Sequence, residues 1–498
     1  MRKKITFIGA GSIGFTRNVL SDIMGAPRLR DFDIAFTDID ARNLEMVTSL
    51  CQRDIDANGL NIKIHATLNR RDAVTGADYV VNTVRIGGLD AFALDVEVPL
   101  WYGVDQCVGD TMSAGGIMYA QRGVNAILEF CKDIREAAKP DCILFNYANP
   151  NAMITWACNT YGKVKTIGLC HGVQNGHYLI ADALGLKKEE VDITCVGINH
   201  MTWYTKILHK GKDMAGKLLD ALKKHAEYSK TEKVRIDMLE RTGYFSTESN
   251  GHLSEYLPYY RKRLNEIEQW IDTSSWINGE TAGYLRVCRE SRNWFMHDFP
   301  AWMTAEPKKY SQENRSIEHI SYMIEGLETG KPYRGHFNVI NNGCITNLPN
   351  DCVVEVPAYA DANGINVPIY GGLPWVCASL CLSNINVQRL SVMAAVNGDV
   401  ELLKQAFLLD PLVSAVLNPK EIWQLADEML IAQEQWLPQY KKGIAEAKKR
   451  IIKSKADGTY IAVNKNFTGS VRLHEHTVEE MAANRQQATK TAAAASKG

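Results

Sequence analysis

The run Gly9-Ala10-Gly11-Ser12-Ile13-Gly14 constrains the fold more than any other stretch, because it directly follows the β-rich segment Lys4-Ile5-Thr6-Phe7-Ile8 and precedes a helical pattern through Met24. A lone G-x-G-x-x-G is a weak signal, but the order strand, glycines, helix is the context in which it opens a dinucleotide-binding unit. Gly9 is expected to allow the tight turn, Gly11 to let the backbone approach a pyrophosphate, and Gly14 to let the helix pack on the strand. With Ser12, the turn would present helix N–H groups to the phosphates. A second strand, Asp33 to Thr37, ends at Asp38 with Asp40 close behind, about twenty-four residues past the last glycine. A carboxylate there accepts ribose hydroxyls and repels a 2′-phosphate, which favours NAD over NADP. The same glycines without a ligand would form an ordinary turn.

The alternation continues with a helix Ala41 to Asn58, strands Ile62 to His65 and Asp78 to Thr83, a long helix Ile117 to Ala138 and a strand Cys142 to Phe145. This pattern predicts an α/β fold, a Rossmann-type doubly wound parallel sheet over residues 1–196. Beyond that the alternation breaks down. Met201 to His209 is strand-like, Met214 to Tyr228 is an amphipathic helix, and Asn338 to Ala358 forms a hairpin-like pair around Asn341-Asn342-Gly343. A second, α+β domain is expected over 197–440 for substrate, metal and oligomerisation. Residues 441–498 read as an extension: a basic helix Lys441 to Lys455, a solvated face rather than a binding patch, and a tail from Gln486 of disordered composition.

Two apolar runs, Val164 to Leu169 and Val191 to Ile198, end in Cys170-His171-Gly172 and in Asn199-His200-Met201. Strand ends are where α/β sheets place their chemistry. A thiolate and an imidazole together suit a borderline divalent metal, although Cys170 and His200 taken alone also fit a buried thiol and a satisfied core histidine. The polar, glycine-rich stretch Asp105 to Gly116 suits a substrate loop with Asp110 as its candidate acid, or with Asp110 as a mere loop cap. Asn146, Asn149 and Asn151 surround Pro150 at a strand end, where asparagines orient hydroxyls or simply form turns. Gly243 to Pro258 carries more polar and aromatic groups capable of proton transfer than any other segment.

The remaining composition excludes several classes. A net charge of −1 over 498 residues gives no reason to expect nucleic acid or an acidic membrane as partner. No apolar run is long enough to cross a bilayer. Twelve cysteines without CxxC pairs or a secretory signal argue for reduced thiols, so the protein is expected to be cytoplasmic.

These residues, taken in order, resemble glycoside hydrolase family 4, the NAD- and divalent-metal-dependent glycosidases that depart from two-carboxylate hydrolysis. The resemblance covers about residues 4 to 438. It rests on ITFIGAGS, TDID at Asp38 to Asp40, GDT at Gly109 to Thr111, NYANP at Asn146 to Pro150, GLCHGVQ at Gly168 to Gln174, GINHM at Gly197 to Met201, and the later YFSTESNGHLSEYLP. The closest likeness is to the α-galactosidase branch, with α-galacturonidases and α-glucosidases further off. The resemblance implies that NAD⁺ oxidises the sugar at C3, a base removes the acidified C2 proton, the C1 leaving group is eliminated, water adds and NADH reduces C3. A lactate- or malate-type dehydrogenase is the competing reading of the glycine motif. The resemblance implies Cys170 and His200 as ligands of Mn²⁺ or another divalent metal, Asp110 as the acid, and His252 or Tyr256 as the base, with a slight preference for His252. It implies Asn149 at both substrate and cofactor, His171 and Arg85 at the substrate, and a homodimer or homotetramer. Departures from the galactosidase pattern occur at Ala114, at Gly172 where Ser is usual, and near Arg85, which could pair with a uronide carboxylate or contact the cofactor.

Overall fold

Ile5, Phe7 and Ile8 are all buried along one strand, β1 (Lys3–Ile8), as a parallel strand covered on both faces requires. The computed structural model describes residues 2–485. β1 lies between β2 (Phe32–Thr37) and β4 (Tyr79–Asn82), with β3 (His65–Thr67) outside β2, and β5 (Ile143–Asn146) and β6 (Thr166–Gly168) beyond β4, all parallel. The order 3-2-1-4-5-6 is that of the Rossmann fold, whose topological switch beside β1 opens a crevice at the strand ends.

The sheet does not stop at β6. β11 (Tyr333–Ile340) pairs antiparallel with β6, β12 (Val353–Asp361) with β11, β7 (Val191–Ile198) with β12, and β8 (Met201–His209) with β7. With β9 (Lys212–Asp213) and β10 (Phe245–Ser246) on β8, and β13 (Gly364–Asn366) on β12, the described residues form one thirteen-stranded mixed sheet. The boundary expected at 196/197 falls inside β7. One hydrophobic cluster joins Phe7 and Leu144 to Val196, Phe337, Val354 and Ile385. Gly168, Asn338, Glu355 and Gly197 pair in a row across β6, β11, β12 and β7, linking the strand before Cys170 to the strand before His200.

Several boundaries differ from expectation for identifiable reasons. The long helix starts at Ser113, not Ile117, because Gly115 and Gly116 lie in its first turn under the acid loop: a Cβ on Gly115 would sit 2.4 Å from the Gly109 carbonyl oxygen, and one on Gly116 2.2 Å from Thr111. Ile62 and Ile64 fill the core ahead of β3 without joining a ladder. The β11–β12 pair closes at Ile340 and Val353 around a loop that the Asn341 amide ties to the carbonyls of Ile345, Leu348 and Pro349. The expected helix from Met214 is Ala215–Lys224, followed by a separate turn at Tyr228–Thr231. The basic helix is present at Lys441–Ala456, burying Ile444 and Ala447 and exposing its lysines. The tail from Gln486 lies outside the described residues. Among the described residues no helix is long and apolar enough to cross a membrane.

Candidate active site

The glycine turn is built for close approach at Gly9 and Gly11, and Gly14 has open space where a helix–strand contact was expected. Gly9 has φ +84°, and a Cβ there would lie 2.9 Å from the Val84 side chain. A Cβ on Gly11 would lie 2.6 Å from Asp38 Oδ2, which accepts the Gly11 N–H at 2.7 Å. Gly11 therefore makes room for the Asp38 carboxylate, whose other oxygen accepts the Asp40 N–H at 2.9 Å. Gly14, expected to pack on the strand, has nothing within 4 Å of its missing Cβ and opens on free space. Ser12 precedes the helix Ile13–Gly25 without a side-chain cap, which leaves first-turn N–H groups for an anion.

Cys170 follows β6, and His200 occupies the two-residue turn between β7 and β8 with φ +62°, a left-handed conformation uncommon outside glycine. Their ligand atoms and a carboxylate oxygen of Glu248, which follows β10, lie within 4.8 Å of one another. The Gly172 N–H, at the start of the helix Gly172–Ala183, donates to Cys170 Sγ at 3.4 Å. Burial, with the Glu355 and Glu248 charges nearby, pushes the Cys170 thiol well up. Burial holds His200 neutral, down to about 4. Burial pushes Glu248 up, but His252, His171 and the Arg235 guanidinium outweigh it and hold the carboxyl below its usual range. A neutral imidazole, a carboxylate, and a thiol that only a nearby cation would ionise fit a borderline divalent metal.

Behind His200 runs a chain of hydrogen bonds to the acid loop. His252 Nε2 lies 2.7 Å from His200 Nδ1, and His252 Nδ1 lies 2.9 Å from Glu255 Oε2. Both residues belong to the short helix Asn250–Glu255, capped by Ser249, where the i,i+3 spacing puts them on one face. Glu255 Oε1 accepts the N–H groups of Val108 at 2.9 Å and Gly109 at 3.2 Å, immediately before Asp110. The Asp110 carboxylate is buried and accepts the Thr111 hydroxyl at 2.6 Å and the Asn149 amide at 2.9 Å. At its other end the loop is anchored through Asp105, which accepts Arg261, the Thr281 hydroxyl at 2.8 Å and the Ser470 N–H at 3.1 Å. The segment after the basic helix thus returns to brace the acid loop.

The other sequence candidates separate clearly. Of the three asparagines, only Asn149 reaches Asp110; Asn146 and Asn151 bond Ala148, Leu169 and each other's turn. His252 has both ring nitrogens engaged, and burial is outweighed by Glu255, which raises its pKa. Tyr256 is wholly buried edge-on to His252, and burial plus the charges of Asp110, Glu255 and Glu248 push its phenol well up. His171 is half exposed and bonds Glu318 at 3.1 Å. Arg85 donates to the hydroxyls of Tyr119 and Tyr284, both at 3.1 Å, and stacks over Phe92. Glu248 and Glu255 escaped the sequence reading as individual residues, although both lie in the polar 243–258 segment. Glu355, which accepts the Asn199 amide at 3.1 Å, carried no signal beyond a lone acid in an apolar strand.

Comparison with known proteins gives one answer. Residues 4–186 match the family 4 glycosyl hydrolase model and residues 195–413 its C-terminal domain. The chain is 50% identical over 491 residues to an α-galactosidase of Rhizobium meliloti, covering 98% of this chain and 99% of that protein. It is 35% identical to an α-galactosidase of Bacillus subtilis, across 88% of this chain and all of that protein. A 6-phospho-β-glucosidase of Thermotoga maritima, solved with manganese, NAD⁺ and glucose-6-phosphate, shares the fold with a TM-score of 0.71 at 24% identity, covering 87% of this chain and 99% of that one. With both halves matched and half of all positions identical to one member over nearly the full length, this chain belongs to the family 4 glycosyl hydrolases.

Proposed function

We propose that the protein hydrolyses α-galactosides using bound NAD and a divalent metal, Mn²⁺ by preference. The observation that carries this reading is the convergence of Cys170, His200 and Glu248, hydrogen-bonded through His252 and Glu255 to the loop that holds Asp110. It is supported by the α-galactosidase relatives and by the cofactors of the Thermotoga maritima structure. When bound, NAD supplies a reversible hydride acceptor at the sugar's C3, and the metal supplies a Lewis acid at the C2 and C3 oxygens.

The chain's own residues do the rest. The open first turn at Gly14 takes the pyrophosphate, and Asp38, fixed by Gly11 and Asp40, meets the ribose. Asp110 protonates the departing C1 oxygen, while Asn149 and Thr111 hold its carboxylate in place. His252 orients His200 through one ring nitrogen, and His252 and Tyr256 are the candidates for the C2 base. A lactate- or malate-type dehydrogenase would leave the Cys170 cluster without a task. An assembly of two or four copies is proposed on the resemblance. A cytoplasmic setting suits the twelve free thiols.

The test uses p-nitrophenyl α-galactoside with and without NAD⁺, Mn²⁺ and a thiol reductant. Release that needs both cofactors, without net NADH, and exchange of the C2 hydrogen with deuterated solvent are expected. Cleavage by protein stripped of both would end the proposal. A second reading, an α-galacturonidase, is favoured by one observation: Arg85 is a half-buried cation whose hydrogen bonds go to tyrosine hydroxyls and not to an acid, as a site for a uronate carboxylate would need. Faster turnover of galacturonides than galactosides, lost in Arg85→Gln, would establish it.

A further inference from the structure

Gly172 and Glu248 approach each other more closely than any side chain at position 172 would allow. A Cβ built on Gly172 would lie 2.0 Å from Glu248 Oε1 and 3.7 Å from Cys170 Sγ. The absent side chain therefore leaves the gap through which the carboxylate reaches the thiol, with Cys170 Sγ and Glu248 Oε1 4.0 Å apart. That contact to the thiol is the hydrogen bond found for the Glu248 carboxylate, and it is a long one. A half-buried carboxylate aimed at a thiol and an imidazole nitrogen, all within 4.8 Å of one another, is arranged for a cation.

We propose that Glu248 is a third protein ligand of the divalent metal. The inference rests on the metal reading above and deepens it. Two consequences follow from the donor set. A thiolate and a carboxylate together neutralise a divalent cation, so the metal is held without help from a sugar. The added oxygen donor shifts the site from soft toward hard cations, in keeping with Mn²⁺.

The experiment is a Mn²⁺ titration of the full-length protein without sugar, following free Mn²⁺ by its electron paramagnetic resonance signal, for wild type, Cys170→Ser and Glu248→Gln. Glu248→Gln is expected to weaken binding by at least the 10- to 100-fold seen when a ligand's support is removed. Circular dichroism of each variant separates lost affinity from lost fold, and Glu248→Asp is the conservative check. Wild-type affinity in a folded Glu248→Gln, with Cys170→Ser impaired, overturns the third ligand and leaves the metal reading standing. Equal affinity in wild type and Cys170→Ser, or no binding at all, overturns both.

Discussion

His252 Nε2 stands 2.7 Å from His200 Nδ1, so one imidazole orients the other. With Nδ1 taken up, His200 has Nε2 to offer a cation, and Glu255 fixes His252 in turn at 2.9 Å. Such outer partners matter nearly as much as the ligands themselves.

His252→Gln or Glu255→Gln should therefore weaken Mn²⁺ binding about 10- to 100-fold. Activity should return at saturating metal. Isothermal titration with Mn²⁺ checks the affinity, and a kcat that stays low at saturating metal would argue that His252 acts on the substrate instead.

Asp110→Ala should distinguish substrates by their leaving groups. Loss of general-acid help costs roughly 10²- to 10⁴-fold where the departing oxygen is basic. Nitrophenol needs little protonation, so its release should fall far less than hydrolysis of a disaccharide. Equal losses on both would remove Asp110 from the acid role.

The glycine turn allows a clean separation of folding from binding. Gly14→Val adds a side chain into open space, so the melting temperature should stay within about 2 °C while NAD⁺ binding is lost. Gly9→Val forces a β-branched residue to φ +84° against Val84 and should destabilise the protein by about 1–3 kcal/mol or more. Thermal melts and NAD⁺ quenching of tryptophan fluorescence read both. Undiminished NAD⁺ affinity in Gly14→Val would move the pyrophosphate elsewhere.

Glu355 should make stability depend on pH. Burial raises its carboxyl from the usual 4.5 to about 7. Because the folded value lies above the unfolded one, the stabilising preference for the protonated form is complete below about pH 4.5 and is lost as pH rises through about 7. The full loss is up to about 3 kcal/mol. Urea unfolding of the metal-free protein between pH 5 and 8 should show this slope, and Glu355→Gln should flatten it. Parallel curves would mean that Glu355 is ionised throughout.

The returning segment at Ser470 and Val471 should matter to catalysis more than to metal binding. It bonds Asp105 and Thr281, which hold the loop leading to Asp110. Truncation after Ala456 should lower kcat about tenfold or more through a misplaced acid while leaving Mn²⁺ affinity unchanged. An unaltered kcat in the truncated protein would make the segment a bystander.

Local pattern made much of this legible. The strand, glycine turn and helix at the start announced the nucleotide half, because periodicity and glycine conformational freedom are properties of neighbouring residues. Cys170, His200, Asp110 and Asn149 could be singled out because each stands at a strand end or in a polar loop. Glu248, Glu255 and Glu355 could not, since an acid becomes informative only through what lies opposite it.

The sequence by itself determined the parallel half of the sheet, the residues at its strand ends and the family to which the chain belongs, all of which follow from short-range order. Only the tertiary structure decided that β6 and β7 are joined through β11 and β12, which come from more than 130 residues later in the chain. That long-range pairing brings Cys170, His200 and Glu248 together and ties His200 to the loop that holds Asp110. The physical reason is that hydrogen bonds and electrostatic coupling depend on distance in space, which separation along the chain does not encode.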